Sequence, residues 1–347
     1  MLYESADLLW RRFHATTDIE IREIEMGDKG DGVIVMIIEQ RPAANGLQRK
    51  MSGILANYQL YLFVLPALLY LILFYYWPMY GVQIAFKDFN AALGITDSPW
   101  VGLKHFIRFI NVYSFRDIIA NTIGISLFQL LIAFPAPIVL ALLINEIKST
   151  RFKKIVQTVT YAPHFISTVV LVSMLMLILN PSYGVVNQIT SFFGAAAHDF
   201  MADERWFKSI YVFSDIWQNA GWSSIIYLAT LAGVDPELHE AAMIDGASRL
   251  RRIWHINLPG IAPTIVILFI FAAGGIMSVG FEKVYLMQNP LNLASSEVIS
   301  TYVYKMGLLN HQFSFSAAVG LFNSGINFIL LIAVNVLAKR FSETSLW

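Results

Sequence analysis

Inside a lipid bilayer no water pairs with backbone N–H and C=O groups, so a chain crosses it only as helices or as a closed barrel. A hydrocarbon core about 30 Å thick takes about 20 mostly apolar helical residues. Six stretches of this 347-residue chain meet that length: 59–79 (QLYLFVLPALLYLILFYYWPM), 120–144 (ANTIGISLFQLLIAFPAPIVLALLI), 160–180, 209–231, 261–281 and 317–338. The expected fold is an all-α polytopic membrane protein with six transmembrane helices. Charged residues make up 14% of the chain and hydrophobic ones 56%, where soluble domains carry about 25% charged. The mean hydropathy of +0.58 agrees. The 24 basic and 24 acidic residues cancel, which leaves no net basic charge to suggest a nucleic-acid partner. There is no cysteine, so disulfides, thiolate catalysis and cysteine-bound metals are excluded.

Lysine and arginine collect in cytoplasmic loops. Arg49 and Lys50 stand before the first span. Lys148, Arg151, Lys153 and Lys154 follow the second, Arg249, Arg251 and Arg252 follow the fourth, and Lys339 and Arg340 follow the sixth. Residues 181–204 contain neither. Both termini are therefore expected in the cytosol. Residues 1–54 read as a weakly structured cytosolic extension and 55–347 as the transmembrane domain. The extension has no signal-peptide core. "VIVMII" at 33–38 is too short to span and fits a strand, and Met51 would serve as a start.

The loop between the fourth and fifth spans contains "HEAAMIDGASRLRRIWHINLP", 239–259. It begins like the H-E-x-x-H zinc signature but has Met243 where the second histidine belongs. Methionine is a poor zinc ligand beside a single histidine, so no metal site is expected. Local signals describe a helical pair instead. Asp235 can cap free N–H groups and Pro236 suits the first helical position. Gly246 can adopt the left-handed conformation of a helix stop. Ser248 can cap a second short helix, which Pro259 is expected to close.

This loop resembles the EAA signature of permease subunits of bacterial binding-protein-dependent ABC importers: E-A-A, three residues, G, nine residues, I-x-L-P. Here it stands as Glu240-Ala241-Ala242, Gly246 and Ile256-Asn257-Leu258-Pro259, with Asp245 and Ala247 also family-like. "PMYGVQIAFKDFN" from Pro78, "WVGLKHF" from Trp100 and "YAPHFIS" from Tyr161 resemble the branch that takes up oligosaccharides and polysaccharide fragments. The resemblance covers about residues 55–347. It implies a transport subunit, not an enzyme, in a bacterial cytoplasmic membrane. It also implies a second permease, two ATPase subunits and an extracytoplasmic solute-binding protein as partners, with a carbohydrate as substrate. ATP and Mg²⁺ would sit in the ATPases, since this chain has no G-x-x-x-x-G-K-[ST] loop and is expected to bind no cofactor. The ATPase-coupling residues carried over are Glu240, Ala241, Ala242, Asp245, Gly246, Ile256, Leu258 and Pro259.

The sugar path is less clearly marked. Asp215, Gln218 and Asn219 are polar residues of the fourth span, and an ionisable group at membrane depth is a functional hypothesis by default. Trp217 and Trp222 suit either sugar stacking or the membrane interface. On the sixth span Gly320, Asn323, Ser324 and Asn327 fall within about a 100° arc; such a face serves helix packing first and sugar hydroxyls second. Pro135 and Pro137 interrupt the ladder of the second span as a hinge or a kink. Arg249, Arg251 and Arg252 serve membrane topology, with contact to an ATPase or lipid phosphates as the second reading. The topology is checked by single-cysteine labelling: a cysteine at position 193 should react only from outside and one at position 248 only from the cytosol. Labelling of position 193 from the cytosol alone sinks the assignment.

Overall fold

A computed structural model describes residues 19–25, 34–40 and 58–341. The expectations for Met51, for Arg49 and Lys50 and for most of the 1–54 extension lie outside these residues. The chain divides into two compact units, Met1–Tyr80 and Gly81–Trp347. Within the first, strands β1 (Ile19–Glu25) and β2 (Ile34–Gln40) form an antiparallel hairpin with Ile19 opposite Gln40 and Glu25 opposite Ile34. The strand expected near 33–38 is thus present, and this hairpin is the exception to otherwise helical elements among the described residues.

Among the described residues four helices are long and apolar enough to cross a membrane: α1 (Tyr58–Phe86), α3 (Phe115–Asn145), α9 (Arg249–Gly274) and α12 (Phe313–Phe341). A short α2 (Lys104–Ile110) precedes α3. The expected straight span at 160–180 is instead two helices, α4 (Thr150–Phe165) and α5 (Thr168–Ile178), bent by 99°. The bend has a local cause. Pro163 narrows the end of α4 to a 3₁₀ turn, Ile166 and Ser167 are extended, and Ser167 Oγ caps α5 by accepting the Val170 N–H. At 1.5 Å per residue the 11 residues of α5 rise about 16 Å, half a bilayer. The short α6 (Val185–Phe192) leads to α7 (Glu204–Leu231). Its 28 residues reach about 42 Å, but its polar residues keep it below the apolarity of the other four. Asp203 caps α7 and is gripped by Arg205, whose hydrogen bonds hold the Asp203 carboxyl well below the ordinary range.

After α7 come α8 (Pro236–Ile244), α9, α10 (Phe281–Met287) and α11 (Ile299–Tyr304). Helix α9 ends at Gly274, short of the expected 281. Pro259 does not end a helix, contrary to the sequence expectation, and Pro135 lies inside the continuous α3. Directly before each, one turn widens: the Phe134 N–H reaches Gln129 O and the Leu258 N–H reaches Ile253 O, five residues back. Trp77, before Pro78, does the same to Ile72 O. The wider turn makes room for a proline ring that would collide with the carbonyl four residues back.

The core of the second unit follows α3. Near its start Ile118 packs with Phe109, Met277, Ile299 and Phe315. In the middle Ile125 meets Val172, Tyr211 and Val284. Towards its end Ile138 and Leu142 meet Tyr227, Leu231 and Ile261. No more than 22% of the most apolar window of α3, α9 or α12 is buried, so their outer faces remain for lipid or partners. Between helices in lipid, close packing replaces the hydrophobic drive, and glycines set the approach. A Cβ on Gly221 of α7 would overlap the Thr160 carbonyl of α4, while one on Gly325 of α12 meets nothing within 4 Å. Gly221→Ala should therefore destabilise the detergent-solubilised protein by about 1–3 kcal/mol through overpacking, and Gly325→Ala should leave its thermal midpoint unchanged. Equal midpoints for the two variants contradict the close crossing.

Candidate functional site

The loop after α7 is built from local hydrogen bonds. Asp235 Oδ1 accepts the Glu237 N–H at 2.9 Å and starts α8. At its end Gly246 has φ 74°. The Ala247 N–H reaches Ala242 O at 2.8 Å and the Gly246 N–H reaches Met243 O at 3.1 Å, the paired bonds of a Schellman stop. Ser248 Oγ then accepts the Arg251 N–H and opens the next helix. The expectation for Asp235, Gly246 and Ser248 is met in detail. Pro259 differs. It lies inside the continuous helix α9, so Ile256, Leu258 and Pro259 join the loop to α9 without a break.

Helix α8 buries no residue. Glu240, Ala241 and Asp245 are exposed and Ala242 is half-buried. Apolar side chains lie bare around them: Ile244 is 87% exposed, Leu250 78% and Trp254 67%. A cleft of about 600 Å³ separates the root of α8 from α9, lined by Asp235, Leu238, His255, Ile256 and Pro259. His239 and Met243 face no third ligand, and His255 Nδ1 pairs with Arg251 O at 2.9 Å. Among the described residues no cluster of three His, Cys, Asp or Glu groups could hold a metal ion.

A second cleft, of about 470 Å³, lies where α3, α7 and the end of α9 meet. Ser126, Gln129, Asp215, Ser223, Tyr227 and Ser278 give it a polar wall. Asp215 Oδ1 accepts the Asn219 amide at 2.9 Å, and Asn219 Oδ1 pairs with His164 Nδ1 at 2.9 Å. Since the Asn219 amide nitrogen faces Asp215, its oxygen is an acceptor and His164 donates from Nδ1. His164 also stacks on Trp222, centroids 4.7 Å apart. Gln218 donates to Ile166 O at 2.8 Å. The three polar residues singled out on the fourth span thus meet at the α4–α5 bend. Trp217 does not join them. It sits about 200° around the helix from Asp215 and lines an apolar groove with Leu171, Phe200, Trp206 and Phe213.

On α12, Asn327 accepts the Met277 N–H at 3.0 Å and donates to Ser278 Oγ at 2.8 Å. It fastens α12 to the segment after α9. Asn323 Oδ1 has no hydrogen-bond partner. Sequence reasoning missed His164, Gln129, Ser278 and Lys283. Lys283 is 7% exposed, and its Nζ donates to Tyr211 O at 3.0 Å and lies 3.7 Å from Asp215 Oδ1. A lysine bordering an apolar stretch was the one signal that could have raised it.

These arrangements match a known class. Residues 133–343 match the family described as the binding-protein-dependent transport system inner membrane component, and the chain belongs to it. It is a permease subunit of an ABC transporter, a transport component without enzymatic activity. It is 45% identical over 300 residues to the polygalacturonan/rhamnogalacturonan transport system permease protein YteP of Bacillus subtilis (strain 168), covering 86% of this chain and 94% of that one. Protein LplB of the same organism is 42% identical over 86% of this chain and 93% of its own length. Among solved structures the chain resembles one of a bacterial alginate ABC transporter in complex with an alginate pentasaccharide-bound periplasmic protein. The TM-score is 0.79 and the identity 37%, with 85% of this chain and 99% of that one covered.

The two asparagines of α12 give a direct test of the packing just described. Asn327→Ala leaves the Met277 N–H without its partner and should cost about 1–3 kcal/mol. Asn323→Ala removes an unpartnered group and should be close to neutral in the same thermal unfolding assay. Equal costs contradict the assignment of Asn327 as a fastener.

Proposed function

We propose that this chain forms one half of the translocation path of an ATP-driven oligosaccharide importer. It crosses the bacterial cytoplasmic membrane six times, with α4 and α5 together as the third span and α7 as the fourth. Both termini and the 232–260 loop are cytosolic. A second permease completes the path, two ATPases hydrolyse ATP with Mg²⁺, and an extracytoplasmic binding protein delivers the sugar. The names of YteP and of the alginate transporter support a carbohydrate cargo. The polar cleft beside Asp215 suits hydroxyl groups, which it meets with serine, glutamine and carboxylate partners.

The observation that carries the coupling reading is α8 itself: a helix rigidly capped at both ends, with no buried residue, and with small Ala241 and Ala242 and exposed Ile244 and Leu250 around Glu240. An ATPase groove can approach it closely, and Glu240 offers a carboxylate to a basic group there. His239→Ala should be mild, since no metal depends on it. Glu240→Ala removes a charge-assisted contact of about 1.5–3 kcal/mol, and Gly246→Asp forces a side chain to positive φ. Both should abolish stimulation of ATP hydrolysis by loaded binding protein in the reconstituted complex, with binding-protein docking retained. Full stimulation and transport in both variants would reduce the loop to a plain connector.

A further inference from the structure

The Asp215 cleft carries a charge problem. Asp215 is the only charged side chain among its described lining residues. The cleft also receives the C-terminal end of α9, where Gly275, Ile276 and Ser278 line it and helix carbonyls present partial negative charge. A wall of that sign repels carboxylates. The nearest opposite charge is Lys283 on α10, 3.7 Å from Asp215 Oδ1. Its ammonium is not free to leave. It donates to Tyr211 O at 3.0 Å and lies 4.8 Å from the centre of the Tyr211 ring. The side chain is almost wholly enclosed, and α10 is held by Val284 and Met287 in the core shared with Ile125 and Tyr211. Asp215 Oδ1 is occupied by Asn219 and faces Lys283. Oδ2 has no hydrogen-bond donor among the described residues, which leaves it as an acceptor for a sugar hydroxyl.

We infer that Lys283 is a specificity-determining residue: it neutralises Asp215, so that the cleft admits saccharides bearing carboxylates as well as neutral ones. This rests on the reading of the Asp215 cleft as the sugar path. Uronate-containing oligosaccharides are then admitted: their carboxylates pass a wall held near neutrality while their hydroxyls meet Asp215, Gln129 and the serines. A lysine that merely fastened α10 to α7 would affect all cargoes alike. A charge-balancing lysine affects the acidic one.

The probes are trigalacturonate and its methyl ester, one sugar backbone with and without charge, each loaded on the binding protein and the loading verified by calorimetry. Initial uptake into proteoliposomes containing the complete complex is measured against the concentration of loaded binding protein. For Lys283→Met, the half-saturating concentration of the acid should rise roughly tenfold or more, since unit charges a few ångströms apart in a protein interact by that order. The ester should change by less than about threefold on the same grounds. Lys283→Arg should behave as the parent. Lys283→Met/Asp215→Asn should bring uptake of the acid back to the level of Asp215→Asn alone, and this double variant also guards against a half-buried carboxylate left unpaired and unfolding the protein. Equal losses for acid and ester, unrepaired by Asp215→Asn, overturn the inference and leave Lys283 a structural fastener. Asp215→Asn alone with both probes unchanged overturns instead the reading of this cleft as the path.

Discussion

Every backbone amide placed in lipid must find its partner inside the protein, and the course of this chain follows from how it meets that demand at its prolines. Three prolines, Pro78, Pro135 and Pro259, stand inside helices directly after a bond to the carbonyl five residues back: Trp77 to Ile72, Phe134 to Gln129 and Leu258 to Ile253. The widened turn takes up the missing N–H and the ring together. A helix that would stop in isolation therefore continues. Pro163 has no such turn before it, and there the helix ends and the chain bends by 99°; Pro66 and Pro263 also lack one but stand inside helices that continue.

That bend determines what α7 must be. The elbow leaves polar backbone at Ile166 and a histidine at 164 that need partners, and α7 supplies them with Gln218 and Asn219. Gly221 lets the two backbones come together at Thr160. The polarity that keeps α7 below the four apolar helices in hydropathy is thus largely spent on the elbow. Asp215 is the member of this set that also borders open space, and there the packing requirement and the cleft share one residue.

The parts legible in the sequence were the local ones. Asp235, Gly246 and Ser248 act through bonds within a few positions of one another, so the cap, the left-handed glycine and the second start could be read from spacing alone. Helix α3 was legible because its apolar run is long. The elbow was not, since "YAPHFIS" has the hydropathy of a span: Pro163 and Ser167 are local signals of the break, but the groups that satisfy it lie 52 and 55 positions distant. Pro259 misled because a proline penalty assumes the standard helical turn, and nothing in the local sequence announces the wider one. Lys283 and Asp215, far apart along the chain, become a pair only when α10 folds back on α7.

The continuity of α9 gives the proposed coupling a physical route. A helix stopped at Pro259 would have left α8 on a hinge, free to move without moving anything else. Instead the rigid turn at Gly246 joins α8 to a helix that runs from Arg249 to Gly274, about 39 Å at 1.5 Å per residue. Its first turns wall the cleft beneath α8, and the residues just past its end, Gly275 to Ser278, wall the cleft beside Asp215. Asn327 ties Met277 and Ser278 to α12 at that same end. A displacement applied at α8 can then reach the polar cleft as a shift or tilt of one stiff element.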